Sequence, residues 1–253
     1  AQVLKNLKIK NVPSPICRNY KWGGKFKPFE HQKETSSFLT LNRRAFVFNE
    51  QGTGKTASVI WAADYLMKLG FIKRVLVLCP LSIMQSAWGG DLFKFAIHRS
   101  VAIAHSYSRE KRIEVVNSDA EFVICNYDGL QIIRDAVNNN EFDLVVVDEA
   151  NAYKTVTTKR WKILNSIIKP HTWVWMLTGT PASQSPTDAY GLARIINPAN
   201  VPKYFGTFKD LVMYKVSQFI WLPKEKAEDV VHKALQPAIR FTKEDCLDLP
   251  DMT

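Results

Sequence analysis

The segment NEQGTGKT, residues 49–56, has the residue types and the spacing of a phosphate-binding loop. Gly52 and Gly54 would let the backbone curl, so that successive N–H groups point at phosphate oxygens. Lys55 would reach the outer phosphates, and the hydroxyl of Thr56 would meet Mg²⁺. Because a chance Gly-Lys-Thr is common, this prediction depends on a strand before the segment and a helix after it. The loop residues predicted to bind the nucleotide are Gln51, Gly52, Thr53, Gly54, Lys55 and Thr56.

A second pattern, DLVVVDEANAYK at residues 143–154, places two adjacent carboxylates at the end of an apolar run. Ligands of open parallel sheets bind at the carboxyl ends of the strands. There Asp148 could hold Mg²⁺ through water, and Glu149 could accept a proton from the attacking water. The pair could instead mark only a helix start, where negative charge is favourable. The loop upstream favours the catalytic interpretation, with Lys55, Asp148 and Glu149 as the catalytic residues.

Apolar runs alternating with helical segments would position these groups. This alternation predicts a parallel sheet with crossover helices, and the runs are too apolar to be half solvated, so both faces should be covered. The predicted strands are RAFVFN, RVLVLCP, SVAIAH, EFVICNY, FDLVVVD and WVWMLTG.

The segment KTASVIWAADYLMKLG, residues 55–70, has a helical period and follows the loop directly. Its apolar residues form one stripe, and Gly70 is a typical helix stop. The stripe consists of Val59, Ile60, Ala63, Leu66 and Met67. After Pro186 the strand pattern ends, and PTDAYGLARIIN, TFKDLVMYKVSQFI and KEKAEDVVHKAL predict three helices.

The composition indicates a globular protein with a polyanionic partner. With 253 residues, 46% of them hydrophobic, the chain can bury one sizeable core. Its formal net charge of +10 suits a partner rich in phosphates. The four cysteines, which are far apart, fit reduced thiols better than zinc ligands or a redox motif. They are Cys17, Cys79, Cys125 and Cys246.

Neither a bilayer-spanning run nor a signal peptide is visible in the sequence, so no membrane association is expected. The expected location is the cytoplasm, that of the host if a phage encodes the chain, or the nucleus in a eukaryote. The chain begins with Ala1 and stops at Thr253 without an obvious terminal element, so we expect a piece of a longer protein.

Together these motifs resemble the N-terminal lobe of superfamily 2 helicases, and within them the SWI/SNF-like branch. The similarity extends from about residue 26 to residue 250, and six motifs in the family's order are far more specific than one. The matching segments are KPFEHQ, NEQGTGKT, VLVLCPLSIMQSAW, FVICNYDGL, VVVDEANAYK and MLTGTPASQSPTDAYGLARIINP, followed by IRFTKEDCLDLP. The spacing of SPTDAYGLARIINP is also similar to small phage-encoded members.

The resemblance implies an α/β fold, a RecA-like lobe with a mostly parallel sheet, helices on both faces and a C-terminal helical appendage. Gln32 would read adenine, so the nucleotide would be ATP, with Mg²⁺ as the metal. Nucleotide state would be relayed to the DNA side by Asn151, Thr178, Gly179 and Thr180. Residues that would contact the backbone of a tracked strand, of double-stranded rather than single-stranded DNA, are Pro80, Ser82, Gln85, Asn126 and Tyr127. For these contacts the alternative is an ordinary loop residue, and for Tyr127 and Trp88 it is core packing.

The sequence departs from the general phosphate-loop motif at one position and from the family pattern at two. Asn49 stands where the general loop motif begins with Gly. Asn151 replaces the usual His, so a polar relay toward Thr178 is possible without protonation chemistry. Phe241 stands where a second Arg would follow Arg240.

We therefore expect residues 1–24 to be an irregular lead-in, residues 25–185 an ATP-binding core, and residues 186–253 a helical extension. No second RecA-like lobe is found in the sequence, so the chain should be half of a DNA-dependent ATPase and nearly inactive alone. The alternatives are a non-hydrolysing nucleic-acid-binding scaffold and the motor piece of a restriction or repair assembly.

Overall fold

The apolar runs form the strands at the centre of the molecule. We describe a computed structural model for residues 14–23, 27–182 and 184–246. All six predicted strands are present: β1 (Arg44–Val47), β2 (Val75–Cys79), β3 (Val101–Ile103), β4 (Phe122–Asn126), β5 (Leu144–Val147) and β6 (Trp173–Leu177). Parts of the predicted lead-in and of the closing segment lie outside the described residues.

Helices connect the strands and continue after them. They are α1 (Ile16–Asn19), α2 (Glu30–Leu41), α3 (Lys55–Lys68), α4 (Gly90–Phe95), α5 (Arg109–Asn117), α6 (Tyr127–Asn139), α7 (Lys159–Ile167), α8 (Ala189–Ile196), α9 (Phe205–Val212), α10 (Ala227–Ala234) and α11 (Lys243–Cys246). Short 3₁₀ turns lie at Leu81–Ile83, Ala150–Tyr153, Pro186–Asp188 and Pro198–Asn200, and Met84–Gly89 is a π-helical turn. No helix of the described ranges combines the length and apolarity needed to cross a bilayer.

The strands form a seven-stranded sheet in the order β3-β4-β2-β5-β6-β1-β9, where β9 is Ala238–Ile239. Every pairing in this sheet is parallel. The central register aligns Leu144 with Val75 on one side and with Trp173 on the other. All carboxyl ends therefore meet at one edge of the sheet, where the loops that follow the strands lie side by side.

Alternate residues of the strands point into two separate cores. Val145, Val147 and Met176 belong to the core on one face, and Val146 and Trp175 belong to the core on the other. This confirms a sheet covered on both faces, with an exception at the edge strand β3, where Val101 is exposed.

Helix α3 is buried more completely than one apolar stripe predicts. Every residue from Ala57 to Met67 is buried, including Ser58 and Asp64. The reason is that α3 packs against the sheet on one side and against α2 and the N-terminal segment on others. The chain leaves the helix at Gly70, whose φ of 74° is in the left-handed region, as the sequence predicts.

The segment after Pro186 is not purely helical, contrary to the sequence prediction. TFKDLVMYKVSQFI is helical only as far as Val212. Its remainder contains β7 (Met213–Lys215), which forms a hairpin with the following strand β8 (Trp221–Pro223). Strand β9, in the same segment, pairs with β1 and extends the main sheet. The periodicity of apolar residues does not predict β9, because a two-residue strand is too short to have a detectable period.

The N-terminal residues pack on the outer side of α3. Ile16 and Tyr20 contact Ala57, Trp61 and Tyr65 in a third apolar cluster. Beside it, fully buried Asp64 accepts hydrogen bonds or ion pairs from four side chains, namely Tyr20, Lys68, His98 and Arg99. Of the four cysteines, which are all free thiols, Cys79 and Cys125 are buried in the cores.

Candidate nucleotide site at the carboxyl edge of the sheet

The order of the strands sorts the predicted site residues along the carboxyl edge. The phosphate loop follows β1, residues 178–180 of the predicted relay follow β6, and the two carboxylates and Asn151 follow β5. The predicted DNA contacts follow β2 and β4, on the other side of β5. Asp148 and Glu149 therefore lie between the nucleotide half and the predicted DNA half of the edge.

The phosphate loop has the predicted context of a strand before it and a helix after it. Gly54, which precedes α3, has φ 77° and ψ 34°, and a Cβ there would clash with the Gln32 amide. The N–H groups of the first turn of α3 are thus directed at the space above the loop. The ammonium of Lys55 donates to the carbonyl oxygens of Asn49 (2.8 Å) and Glu50 (3.0 Å). Thr53 is buried, whereas Gln51 and Gly52 are exposed.

Gln32, to which the resemblance assigns adenine recognition, lies against this loop. Its Nε2 donates to the carbonyl oxygen of Thr53 (3.2 Å), and its Oε1 accepts from the backbone N–H of Phe29 (3.0 Å). Neighbouring His31 also contacts the Thr53 carbonyl and stacks on the ring of exposed Phe29, with 5.8 Å between ring centroids. Adenine recognition by Gln32 would require one of these two amide contacts to be exchanged or shared.

Asp148 and Glu149 follow β5 directly, and the backbone between them is constrained. Asp148 is buried, and its Oδ2 accepts from Nε1 of Trp88 (2.9 Å) while Oδ1 accepts from the backbone N–H of Glu149 (3.0 Å). Glu149 has φ 48° and ψ 55°, the only left-handed conformation of a non-glycine residue in the described part of the chain. Such a conformation costs about 1–3 kcal/mol and persists where surrounding contacts impose it.

The charges of this site influence one another's ionisation. Burial raises the pKa of Asp148, and the Trp88 hydrogen bond, the Glu149 N–H and Lys55 oppose that rise. Burial also raises the pKa of Glu149, with a further contribution from Asp148. Burial lowers the pKa of Lys55, while Asp148, Glu149 and Glu50 act in the opposite direction. Lys55 and both carboxylates therefore share one electrostatic environment, although they follow different strands.

The available oxygen atoms fit Mg²⁺. The carboxylate of Asp148 and the hydroxyl of Thr56 are hard oxygen donors, which Mg²⁺ prefers, together with retained water. Each Asp148 oxygen accepts one protein hydrogen bond, which leaves lone pairs for metal-bound water. Three-residue clusters of His, Cys, Asp or Glu that could hold a metal without phosphate oxygens are not found within the described ranges.

The residues predicted to contact DNA occupy the adjacent half of the edge. Ser82 and Gln85 are exposed, and Pro80 is half-buried. Asn126 ends β4, and its Oδ1 is buried without a hydrogen-bond partner among the described residues. Tyr127 is directed inward at its polar end, because its hydroxyl donates to the carbonyl oxygen of Asp148 (2.5 Å).

The polar relay runs from Asn151 to Thr180. Nδ2 of Asn151 lies 2.7 Å from the carbonyl oxygen of Thr180 and 3.3 Å from its hydroxyl. Asn151 thus reaches Thr178 only through Thr180, and the relay toward Thr178 stays a prediction. Buried Thr178 contributes only indirectly, by accepting from the backbone N–H of Thr180 (3.3 Å).

A C-terminal segment that the sequence did not assign to the site lies beside the loop. Asn49 donates to the hydroxyl of Thr35 on α2 (2.9 Å) and accepts from the backbone N–H of Phe241 (3.1 Å). Glu50 accepts from the backbone N–H of Lys243 (3.0 Å). The amide that replaces the first Gly of the general motif thus ties the loop to two other segments. Only the unusual Asn49 gave a signal in the sequence.

This geometry defines a class of protein, a RecA-like lobe in which a phosphate loop and a carboxylate pair meet at one edge of a parallel sheet. The comparisons with known proteins agree, since the SNF2-related domain matches residues 31–253. The chain belongs to the family of SNF2-related domains.

Individual relatives are distant. "Uncharacterized ATP-dependent helicase YqhH" of Bacillus subtilis is 26% identical over 180 residues, which are 70% of this chain and 30% of that protein. "Putative protein p41" of Acyrthosiphon pisum secondary endosymbiont phage 1 is 30% identical over 182 residues, which are 68% of this chain and 39% of p41. The chain thus spans well under half the length of these two relatives.

The fold is shared with the SWI2/SNF2 ATPase core of Sulfolobus solfataricus, which was solved in complex with double-stranded DNA. The TM-score is 0.76 at 23% identity, and the match covers 91% of this chain and 48% of that one.

Proposed function

We propose that this chain is the ATP-binding lobe of a DNA-dependent ATPase, which uses hydrolysis to move on or remodel DNA when a second lobe completes it. One observation carries the proposal. Lys55 and the carboxylates of Asp148 and Glu149 come from different strands and meet at one edge, close enough to influence one another's pKa values. A phosphate cradle, a metal-binding carboxylate and a base are the groups that this reaction requires.

ATP binding would change the partners of Lys55. In the structure its ammonium is held by two carbonyl oxygens of the loop, those of Asn49 and Glu50. The outer phosphates of ATP offer charged acceptors, which bind an ammonium more strongly than neutral carbonyl oxygens do. The loop N–H groups and the start of α3 would hold the remaining phosphate oxygens, and Gln32 would select adenine.

Hydrolysis would depend on the two carboxylates in different ways. Asp148, fixed by Trp88, would hold Mg²⁺ through water, together with Thr56. Mg²⁺, when bound, neutralises charge on the phosphates. Glu149 would accept a proton from the attacking water, and the raised pKa of its carboxylate makes it a stronger base once ionised.

Double-stranded DNA is the partner that the surface supports best. The net charge of +10 suits a polyanion, and Ser82 and Gln85 lie exposed beside the carboxylates. The Sulfolobus core of the same fold was solved with a duplex bound. That core is about twice as long as the part that matches this chain, which leaves room for a second lobe. The second lobe would supply a further cation for the transferring phosphoryl group. In related systems such a cation accelerates transfer by about three to five orders of magnitude.

The alternative of a non-hydrolysing scaffold explains less. A scaffold has no need for a strained backbone at Glu149, nor for a lysine and two carboxylates that share one buried environment. Backbone strain of this kind is concentrated at functional sites.

Paired variants of the site test the proposal by calorimetric titration with ATP and Mg²⁺. Lys55→Ala should weaken ATP binding more than about tenfold, because hydrogen bonds to charged groups contribute about 1.5–3 kcal/mol each. Glu149→Gln should retain binding and lose turnover in any chain that hydrolyses ATP. Lys111→Ala, on the exposed side of α5, is the matched control and should bind as the wild type does. Unchanged affinity in Lys55→Ala would remove the site assignment.

A further inference from the structure

Two aromatic side chains hold the Asp148–Glu149 pair from the predicted DNA half of the edge. Trp88 lies in the π-helical turn that follows β2, and Tyr127 begins α6 directly after β4. Each has a single polar hydrogen, and both hydrogens are donated to Asp148. The two segments lie apart in sequence, so their convergence on one residue is a property of the fold.

The Trp88 contact fixes the carboxylate. Its indole is fully buried, and Nε1 lies 2.9 Å from Oδ2 of Asp148, which is itself 7% exposed. A hydrogen bond to a buried carboxylate is charge-assisted and directional. It restricts the orientation of the Asp148 carboxylate, which would hold Mg²⁺ through water.

The Tyr127 contact fixes the backbone. Its hydroxyl lies 2.5 Å from the carbonyl oxygen of Asp148 and 3.4 Å from that of Glu149. The peptide bond that begins with the Asp148 carbonyl leads directly into Glu149, whose backbone conformation is left-handed. A phenol that holds this peptide therefore helps determine where the Glu149 carboxylate points.

Trp88 lies in the same turn as a predicted DNA contact, and Tyr127 is itself a predicted contact that follows another. Gln85 and Trp88 share the π-helical turn Met84–Gly89, and Asn126 is the residue before Tyr127. Single π-turns are uncommon and occur mostly at functional sites. A shift of Gln85 on binding a DNA strand would move Trp88 through the turn that they share, and a shift of Asn126 would move the adjacent Tyr127.

We propose that Trp88 and Tyr127 are positioning residues through which DNA bound at the ends of β2 and β4 aligns Asp148 and Glu149 for the nucleotide. This inference rests on the proposed function, because it assumes that the two halves of the edge bind DNA and ATP. A purely structural role would require only that the buried donors find an acceptor. The two roles differ in whether the ligands influence each other's binding.

The test is the thermodynamic coupling between the two ligands. Affinity for a fluorescently labelled DNA duplex is measured by anisotropy with and without AMP-PNP and Mg²⁺, and the ratio of the two dissociation constants is the coupling factor. In the wild type we expect a factor of about five or more. Trp88→Phe, which replaces the indole by a smaller ring without an N–H donor, and Tyr127→Phe, which removes only the hydroxyl, should bring the factor below about two.

Matched controls separate coupling from packing. Trp175→Phe removes a buried indole N–H that donates to the carbonyl of Asn42 (3.0 Å), and Tyr190→Phe removes a hydroxyl bound to Lys203. Both should keep the wild-type factor. If Trp88→Phe does not fold, Tyr127→Phe decides alone, since it deletes one oxygen from a half-buried residue.

The outcomes are distinguishable from failure of the proposed function. A wild type that binds neither duplex nor nucleotide would overturn the proposed function. A wild type that binds both with a coupling factor of one, or variants that keep the wild-type factor, would overturn the positioning role alone.

Discussion

The chemistry of the site depends on a few residues whose backbone or side chain is held by others. Glu149 illustrates this, because the residue proposed as the base has a positive φ that a non-glycine residue adopts at a cost. Adjacent carboxylates after an apolar run could be recognised in the sequence as a catalytic pair. Their fixation by Trp88 and Tyr127 could not, because a buried tryptophan and a tyrosine at a strand end have the same pattern as ordinary core residues.

The strain at Glu149 predicts a difference between two substitutions that both delete the carboxylate. Glu149→Gly should give a more stable protein than Glu149→Ala by about 1 kcal/mol, because only alanine retains a Cβ in the left-handed region. Chemical denaturation of the two variants measures the difference. At Glu141, an exposed loop residue without a positive φ, the same pair should show alanine equal to or better than glycine. Equal stability of the two Glu149 variants would show that the local backbone relaxes freely.

At the level of elements, the strands of the sheet could be predicted from the sequence better than the C-terminal segments that pack beside them. The strands β2, β4, β5 and β6 have continuous buried runs, so their positions follow from burial, whereas β3 is short and partly exposed. Strand β7 falls in a segment predicted as helix, because MYKVSQFI contains no Gly or Pro to break the pattern. The hydrogen bond between Phe241 and Asn49 joins residues that are far apart in the sequence, so no local pattern of apolar residues predicts it.

One close approach between elements should be intolerant of substitution. Gly191, within α8, lies so near the carbonyl of Lys154 that a Cβ would clash with backbone. Lys154 ends the turn that follows Asp148 and Glu149, and α8 packs against this turn. Gly191→Ala should lower the free energy of unfolding by more than about 1 kcal/mol, since backbone must shift. Gly206→Ala in α9, where no atom lies within 4 Å, should instead raise it by up to about 1 kcal/mol. Thermal melts with denaturant titrations compare the two, and a stable Gly191→Ala protein would mean that α8 can move away.

In the whole molecule, a buried ionic cluster joins three distant parts of the chain. Asp64 on α3 binds Tyr20 from the N-terminal segment and both His98 and Arg99 from the loop before β3. Burial opposes the ionisation of Asp64, but hydrogen bonds from these residues and Lys68 outweigh it and lower the pKa of Asp64 to about 2.

This cluster predicts a loss of stability in acid. A carboxyl group with a lowered pKa stabilises the fold fully above its unfolded pKa near 4, and the contribution disappears as pH falls from about 4 through 2. The loss should be about 2 kcal/mol, measured by urea unfolding across this range. Asp64→Asn should flatten this dependence, whereas Asp135→Asn, at an exposed pair with Arg134, should not. A wild-type slope that Asp64→Asn leaves unchanged would assign the acid sensitivity to other carboxyl groups.

The pairing of β9 with β1 has a consequence for the order of events during biosynthesis. Phe241, just beyond β9, bonds to Asn49, which lies 192 positions earlier. A ribosome must therefore release nearly the whole described chain before the phosphate loop gains this neighbour. Contacts of such long range form late, because closing a long loop costs entropy before any contact rewards it. A nascent chain would accordingly carry a phosphate loop without this neighbour until Phe241 has left the ribosome.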